Sequence, residues 1–316
     1  MSSLFINPDD LRLRAGWRLV LQLLLLLTFL FFFSVLFAQL NLSNELTQMF
    51  GSIFFGASIL LSVWIMSRYV DFRSLSGFGL TFNATSNKEF WIGSAIGMVA
   101  MTLIWLILLA LGYVQFNGFE WQLESGIGWI LEVVGFMLLM LFVGFYEELW
   151  SRGYQLKVLS EALHLGPLTK TTAVTLSMII TSILFGLLHL GNPGSSLISS
   201  VNISLAGIML ALPYVLTGRL WLSVGIHFSW NFAQGGIFGF SVSGLTNQHS
   251  LINTSMTGPE WFTGGGFGPE AGVISQILLL LMSLFIVIQY KTVSLTDHAE
   301  SFLDEPDALP DKVKQE

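Results

Sequence analysis

The sequence predicts an all-α protein, a polytopic bundle of about eight transmembrane helices with both termini on the cytoplasmic side. Of its 316 residues, 53% are hydrophobic and only 10% are charged, whereas a soluble domain carries about 25% charged residues. The apolar residues form long runs, and about 20 consecutive apolar residues let a helix cross a bilayer. The runs lack the alternation of polar and apolar residues that marks the strands of a membrane β-barrel.

Eight apolar runs account for the predicted spans. They are Leu19–Leu40, Met49–Met66, Trp91–Val114, the run Phe136–Tyr146 that leads into two glutamates, Thr172–Leu190, Leu197–Leu216, Leu220–Phe240 and Ala271–Tyr290. The first run is too long for the core of a signal peptide, and no small-x-small cleavage pattern follows it, so we expect a retained helix. We therefore expect a cytoplasmic lead over residues 1–18 and a membrane domain over residues 19–292. The acidic tail, residues 293–316, is expected to be disordered.

Basic residues fall in alternate connections between these runs. The basic positions are Arg12, Arg14, Arg18, Arg68, Arg73, Lys88, Arg152, Lys157, Lys170, Arg219 and Lys291, whereas the loops near Asn41, Asn117, Asn192 and Asn247 carry no Lys or Arg. Cytoplasmic loops of membrane proteins are enriched in Lys and Arg, so both termini are expected in the cytoplasm. The long outer connection Ser241–Pro269 is rich in Gly, Ser, Thr and Asn, and we expect an irregular loop there.

Composition also excludes several kinds of function. The chain has no cysteine, so disulfides, thiolate metal sites and a cysteine nucleophile are excluded. No basic or repetitive segment indicates nucleic-acid binding. The expected partners are the lipid bilayer and a membrane-anchored protein or peptide.

The first candidate site residues are Glu147, Glu148 and Arg152, at the end of an apolar run. A charge at the centre of a bilayer costs roughly 2.5–3.5 kcal/mol on insertion scales, which is hard to explain by packing. Glu148 and Arg152 are four residues apart and can pair on one helical face, while Glu147 points about 100° away. The alternative is a cytoplasmic helix end whose charges reach the membrane surface.

The other candidates are His189, His227 and Asn231. His189 ends an apolar helix, and His227 and Asn231 are four residues apart, so they lie on one face of a helix. Each alone is explained about as well by hydrogen bonding between helices. Together with the two glutamates and the arginine, however, they place acid–base groups on three otherwise apolar helices, and general acid–base catalysis uses such groups.

This set can support peptide hydrolysis, which needs an activated water and donors for an oxyanion. Glu147, helped by His189, can hold and deprotonate a water, and Arg152 can restrain Glu148 as an anion. His227 and Asn231 can donate to the oxyanion. The alternative is zinc held by Glu147, His189 and His227 with an open fourth position, although their spacing is not that of the HExxH motif.

Three motifs in order resemble those of the CPBP (CAAX protease and bacteriocin-processing, or Abi) family of intramembrane proteases, which includes the type II CAAX prenyl endopeptidases. Glu147–Tyr154 resembles the EExxxR motif, and Phe185–His189 resembles the FxxxH motif. The segment Thr217–Phe232 resembles the HxxxN motif with its Thr-Gly and Trp lead-in. The resemblance covers about residues 144–232, and Ser151 departs from it where the family commonly has an aromatic residue.

The resemblance implies an eight-helix membrane peptidase with a cavity open to the cytoplasm. Glu147 and His189 would then activate the water, and His227 with Asn231 would form the oxyanion site, while Glu148 and Arg152 brace the helix. Eukaryotic relatives cleave the last three residues from prenylated CaaX proteins, whereas many bacterial relatives act on other targets. We thus expect an intramembrane endopeptidase of a prokaryotic plasma membrane. The alternatives are a non-enzymatic immunity or partner-binding protein of the same fold and a proton-coupled transporter.

Overall fold

The computed structural model describes residues 2–7, 12–39, 44–122, 126–164, 167–246, 249–290 and 302–303. Within them the main helices are α1 (Ala15–Ala38), α2 (Asn44–Tyr69), α3 (Ala84–Ala110), α4 (Ile127–Glu148), α5 (Lys157–His164), α6 (Lys170–Leu188), α7 (Leu197–Thr217), α8 (Trp221–Asn231) and α9 (Val273–Tyr290). Two π-helical segments, Leu149–Leu156 and Phe232–Ile237, directly follow α4 and α8.

Seven helical segments of the described chain are long and apolar enough to cross a membrane. They indicate an integral, multi-pass membrane protein. The seventh predicted run, Leu220–Phe240, folds into the 11-residue helix α8 and then the 6-residue π-helical segment. Its helical part is therefore shorter than a typical span of about 20 residues. The predicted count of eight spans and the cytoplasmic location of both termini stay predictions.

Glycines let α3 and α8 pack backbone against backbone. A Cβ atom on Gly97 would lie 2.5 Å from the carbonyl oxygen of Ile226, and Cβ atoms on Gly93 and Gly225 would collide with the backbone of the opposite helix. Close approach through small residues is the usual way in which helices associate inside a membrane. The polar motif on α8 is thus held against a long, buried neighbour.

Similar contacts bring the other motif helices together. A Cβ atom on Gly144 of α4 would lie 3.0 Å from the backbone nitrogen of Phe228 on α8, and one on Gly207 of α7 would lie 3.0 Å from Cβ of Ser182 on α6. Small residues at these positions, rather than bulky apolar ones, set the distances between the helices that carry the candidate site residues.

The described chain is mostly helical, as predicted, and it also contains one small antiparallel sheet. Strand β1 (Val114–Phe119) pairs with β2 (Ile252–Met256), and Gln115 lies opposite Ser255. The outer connection Ser241–Pro269, expected to be irregular, therefore contains a strand. Asn117 donates to Asn253 at 3.0 Å and to Ser255 at 2.6 Å across the ladder. The pairing satisfies backbone groups that neither segment could satisfy alone.

A network of buried charges lies at the opposite end, the predicted cytoplasmic side. Arg18 on α1 pairs with Asp71 at 2.5 Å and with Glu161 on α5 at 2.7 Å, and Arg73 pairs with Glu161 at 2.8 Å. The Tyr154 hydroxyl donates to Asp71 at 3.1 Å. The network joins α1, the turn after α2, and α5, and α1 begins at Ala15 rather than at Leu19.

Two residues of the acidic tail are described, and one of them is buried. Phe302 is 5% exposed. Its ring centroid lies 5.0 Å from that of Tyr214, and Nζ of Lys157 lies 4.5 Å over the ring. The rest of residues 293–316 falls outside the described residues, so the predicted disorder of the tail stays a prediction.

Candidate active site

Glu148 is the central group of the candidate site. It is the last residue of α4 and is 0% exposed. Its Oε1 atom accepts a hydrogen bond of 2.9 Å from Arg152, which is 1% exposed. The predicted pairing of these two residues is confirmed, and the residues between them belong to a π-helical segment. Such segments are frequent at functional sites.

Arg152 also connects the end of α4 to α6 and α7. It donates to the carbonyl oxygen of Gly207 on α7 at 3.2 Å. Its guanidinium carbon lies 4.3 Å from the ring centroid of Phe185 on α6. A cation over an aromatic face is an attractive contact, and it strengthens when water is excluded. Arg152 is thus held on three sides, and it holds the Glu148 carboxylate in turn.

His227 on α8 links the two glutamates. Its Nδ1 atom is 2.8 Å from Oε1 of Glu148. A carboxylate oxygen can only accept a hydrogen bond, so Nδ1 carries the proton. The other ring nitrogen, Nε2, lies 3.8 Å from Oε2 of Glu147. This distance is too long for a direct hydrogen bond, and it leaves both atoms able to contact one water molecule.

The two adjacent glutamates therefore have different environments. Glu148 accepts from Arg152 and His227, whereas the Glu147 side chain is 17% exposed. The Oε2 atoms of both glutamates are buried without a hydrogen-bond partner within the described parts of the chain, but only that of Glu147 lies close to Nε2 of His227. A buried polar atom without a partner requires an explanation, such as a bound water or a catalytic role.

Asn231 lies one turn beyond His227, at the end of α8, and is 8% exposed. His189 follows α6, is partly buried and lies farther from the glutamates. Its Nδ1 atom lies 2.7 Å from the carbonyl oxygen of Phe185. It makes no hydrogen bond with Glu147 among the residues that the structure describes.

The ring of Phe185 lies between the histidines. Its centroid is 4.8 Å from that of His189 and 6.2 Å from that of His227. The structure thus brings Glu147, Glu148, Arg152 and His227 into one cluster, with Asn231 next to it on α8. His189 is connected to this cluster only indirectly, because its ring and that of His227 both contact the ring of Phe185.

The side chains do not form the zinc site considered above. No group of three His, Asp or Glu side chains in the described part of the chain is arranged to hold a metal ion. Glu147 and His227 face each other, but His189 does not complete a three-ligand set with them. We therefore derive no catalytic step through a metal.

Sequence reasoning missed one contact of the site and one buried acid. The ring of Phe185, named above only as part of a motif, contacts Arg152 and His189. Glu270, just before α9, is 5% exposed, and its Oε1 atom accepts a hydrogen bond of 2.9 Å from the Ser243 hydroxyl. A lone glutamate at the end of a Gly-rich loop gave no signal, because only tertiary packing buries it.

A comparison with protein families supports the same region. Residues 128–233 match the family described as "Type II CAAX prenyl endopeptidase Rce1-like", and this range contains all six candidate site residues. Searches of curated proteins and of solved structures found no match. The matched range is about a third of the chain and carries all three motifs in order, so this region is similar to the type II CAAX prenyl endopeptidases.

Proposed function

We propose that this protein is an intramembrane endopeptidase that uses Glu147 to activate a water molecule. One observation carries the proposal. Oε2 of Glu147 is buried, has no hydrogen-bond partner among the described residues and lies 3.8 Å from Nε2 of His227, whereas Glu148 already bonds to His227 and Arg152 through Oε1. A general base needs this kind of free acceptor within reach of the water that it deprotonates.

In the proposed reaction the water attacks the carbonyl carbon of the scissile peptide bond. Its proton passes to the Glu147 carboxylate, and a tetrahedral oxyanion forms. When the carbon–nitrogen bond breaks, the proton moves from Glu147 to the leaving amine. The products are a new carboxylate and a free amine.

The other residues orient and stabilise these species. Glu148 fixes the His227 ring with Nδ1 protonated, as the buried acid of a catalytic triad does for its histidine. Asn231, one turn farther along α8, supplies an amide donor for the oxyanion. We assign His189, at the end of α6, to the water-binding side, and Arg152 holds Glu148 in place through its hydrogen bond.

The substrate class follows from the family and from the membrane. The matching family is described as a CAAX prenyl endopeptidase, so we propose a membrane-associated peptide of the prenylated CaaX type as substrate. A prenyl chain would dissolve in the bilayer next to the spans and would bring the peptide to them. The proposed location is a prokaryotic plasma membrane.

The test is a cleavage assay with purified protein, a prenylated CaaX peptide and its unprenylated counterpart. We expect Glu147→Gln to lower turnover at least about 100-fold, because general acid–base catalysis contributes about 10²–10⁴-fold. Glu132→Gln is the matched control, since Glu132 is an exposed carboxylate on the same helix, and it should behave like the wild type. Equal turnover by Glu147→Gln and the wild type would contradict the proposed base.

Further measurements separate the alternatives. Metal analysis of the active protein, with a chelator control, decides whether zinc takes part. If no peptide is cleaved, binding to a partner protein without turnover would favour the alternative of a non-enzymatic immunity or partner-binding protein. Proton-coupled uptake into proteoliposomes would favour a transporter.

A further inference from the structure

The buried face of α1 carries a polar amide inside an apolar run. The helix buries Ala15, Arg18, Gln22 and Leu26, which recur at helical spacing along one face. Gln22 is 0% exposed and is followed by five consecutive leucines, residues 23–27. A buried amide costs free energy unless its polar atoms are hydrogen-bonded, and the hydrocarbon of a bilayer supplies no partners. The partners of this amide are therefore expected within the protein.

The Gln22 amide joins α1 to two other parts of the bundle. Its Nε2 atom donates to the hydroxyl of Ser62 on α2 at 2.9 Å. Its Oε1 atom accepts from the side-chain amide of Gln155 at 2.7 Å and from the indole nitrogen of Trp150 at 3.3 Å. Trp150 and Gln155 both belong to the π-helical segment Leu149–Leu156. Both acceptor positions of the amide oxygen are thus used by this one segment.

The spacing of the two donors depends on the form of the helix. Trp150 and Gln155 are five residues apart. In an α-helix, with 3.6 residues per turn, such positions point about 140° apart. A π-helix makes i→i+5 hydrogen bonds, so residues five apart lie one above the other on the same face. The π-helical form therefore brings both donors to Oε1 of Gln22, whereas an α-helical form would separate them.

The π-helical form matters to the candidate site because the same segment carries Arg152. This residue lies between the two donors and bonds to Glu148 at 2.9 Å. A π-helix is wound less tightly than an α-helix, so conversion of the segment would rotate Arg152 relative to Glu148. Because π-helices are rare, the segment needs contacts that favour it over the α-helical form. Gln22 supplies two such contacts from another helix.

We propose that Gln22 is a positioning residue that keeps the segment Leu149–Leu156 in its π-helical form. Through that form it keeps the guanidinium of Arg152 against the Glu148 carboxylate, which in turn orients the His227 ring. The inference rests on the proposed function, because Glu148 and His227 act there in hydrolysis. It adds a residue of α1, outside the three motifs and outside the range that matches the protease family.

The kinetic test compares Gln22→Leu with Ser62→Ala in the full-length protein. Gln22→Leu removes the acceptor, whereas Ser62→Ala removes another hydrogen bond of the same amide and leaves the acceptor in place. We expect Gln22→Leu to lower kcat at least about tenfold with little change in KM, because a catalytic group misplaced by about 1 Å can lose about 100-fold in rate. Ser62→Ala should keep the wild-type values, and Gln22→Glu, which retains acceptor oxygens, should recover part of the turnover.

Two results would overturn the proposal. The first is a folded Gln22→Leu protein with the kcat of the wild type. The second is an equal loss of kcat in Ser62→Ala, since the amide would then serve only to join α1 to α2.

A kinetic cycle tests whether the effect passes through the π-helical segment. Gln155→Leu removes the closer of the two donors, and it should lower kcat by less than Gln22→Leu does. In the Gln22→Leu background it should cause no further loss, because the acceptor is already gone, and effects within one hydrogen-bond network are not additive. Losses that multiply in the double variant would overturn the proposed route.

A further measurement does not depend on activity. The chain has five histidines, so the ring nitrogens of ¹⁵N-histidine-labelled protein can be assigned by NMR with single histidine substitutions. Among the described residues Gln22 makes no hydrogen bond to His227, so its loss reaches that ring through the segment. The His227 signals should shift in Gln22→Leu and remain in place in Ser62→Ala. Unchanged His227 signals in Gln22→Leu would overturn the positioning role, whereas the shift in a protein that cleaves no peptide would overturn only the proposed function.

If Gln22→Leu does not fold, Gln155→Leu serves alone, because Gln155 is only partly buried. A decrease in kcat together with a shift of the His227 signals would support the proposal. Wild-type values for both would overturn it.

Discussion

Two adjacent glutamates differ in their partners: Oε1 of Glu148 bonds to Arg152 and His227, whereas Glu147 makes a hydrogen bond to neither of them. Glu148 shares one oxygen between Arg152 and His227, so its charge is compensated inside the protein. Glu147 lies one residue earlier and about 100° around the helix, and it reaches the partly open side, where no described residue satisfies Oε2. Glu148 thus supports the structure of the site, whereas Glu147 is the glutamate that is free to react.

This division predicts a thermodynamic result for Arg152→Met. Removing one partner of a buried ion pair leaves an uncompensated charge and costs about 3–5 kcal/mol. The double variant Glu148→Gln/Arg152→Met removes both charges of this pair and should be more stable than the single variant. Denaturant unfolding in detergent measures both, and a double variant less stable than Arg152→Met would contradict the pairing.

At the scale of elements, glycines rather than bulky apolar residues decide where the helices meet. α3 and α8 approach until Gly97 touches the backbone of α8, and Gly144 allows α4 to approach the same helix. Adding a methyl group to a packed contact costs about 1–3 kcal/mol. Substitution of these glycines should therefore destabilise the protein more than the small size of glycine suggests.

We therefore expect Gly97→Ala to destabilise the protein by about 1–3 kcal/mol. Its Cβ would lie 2.5 Å from the carbonyl oxygen of Ile226. Gly128→Ala on α4 is the control, since a Cβ there meets nothing within 4 Å and alanine is the better helix former by about 1 kcal/mol. Thermal unfolding of the two variants should move in opposite directions, and a Gly97→Ala protein as stable as the wild type would disprove the close contact.

In the whole molecule, the buried ion-pair network and the small β-sheet lie at opposite ends. The buried network of Arg18, Asp71, Arg73 and Glu161 lies at one end, and the β1–β2 sheet lies in connections that carry no Lys or Arg. By the positive-inside rule we expect the first end in the cytoplasm.

Orientation can be tested because the chain has no cysteine of its own. Asn117 and Lys88 are both exposed, one in β1 and the other near the start of α3. With a membrane-impermeant maleimide on intact cells, Asn117→Cys should be labelled and Lys88→Cys should be labelled only after permeabilisation. The reverse pattern would invert the predicted topology.

Much of the molecule could be predicted from the chain alone. Long apolar runs, alternating basic connections and the spacing of Glu148 and Arg152 depend on local composition and helical period. The sheet escaped prediction because β1 and β2 are 133 positions apart at their closest ends and neither carries a strong strand pattern. The burial of Glu270 escaped because its hydrogen bonds come from Ser243, 27 residues earlier in the chain.

By itself the sequence determined the class of protein, a multi-pass helical membrane protein with three ordered polar motifs, because hydrophobicity and helical spacing are local properties. Only the tertiary structure decided which glutamate is paired and that His227, rather than His189, lies against Glu147. It also decided that the ring of Phe185 lies between His189 and His227 and that Glu270 is buried. Those outcomes depend on how closely glycine-bearing helices approach one another, and that distance is a property of pairs of helices rather than of any one segment.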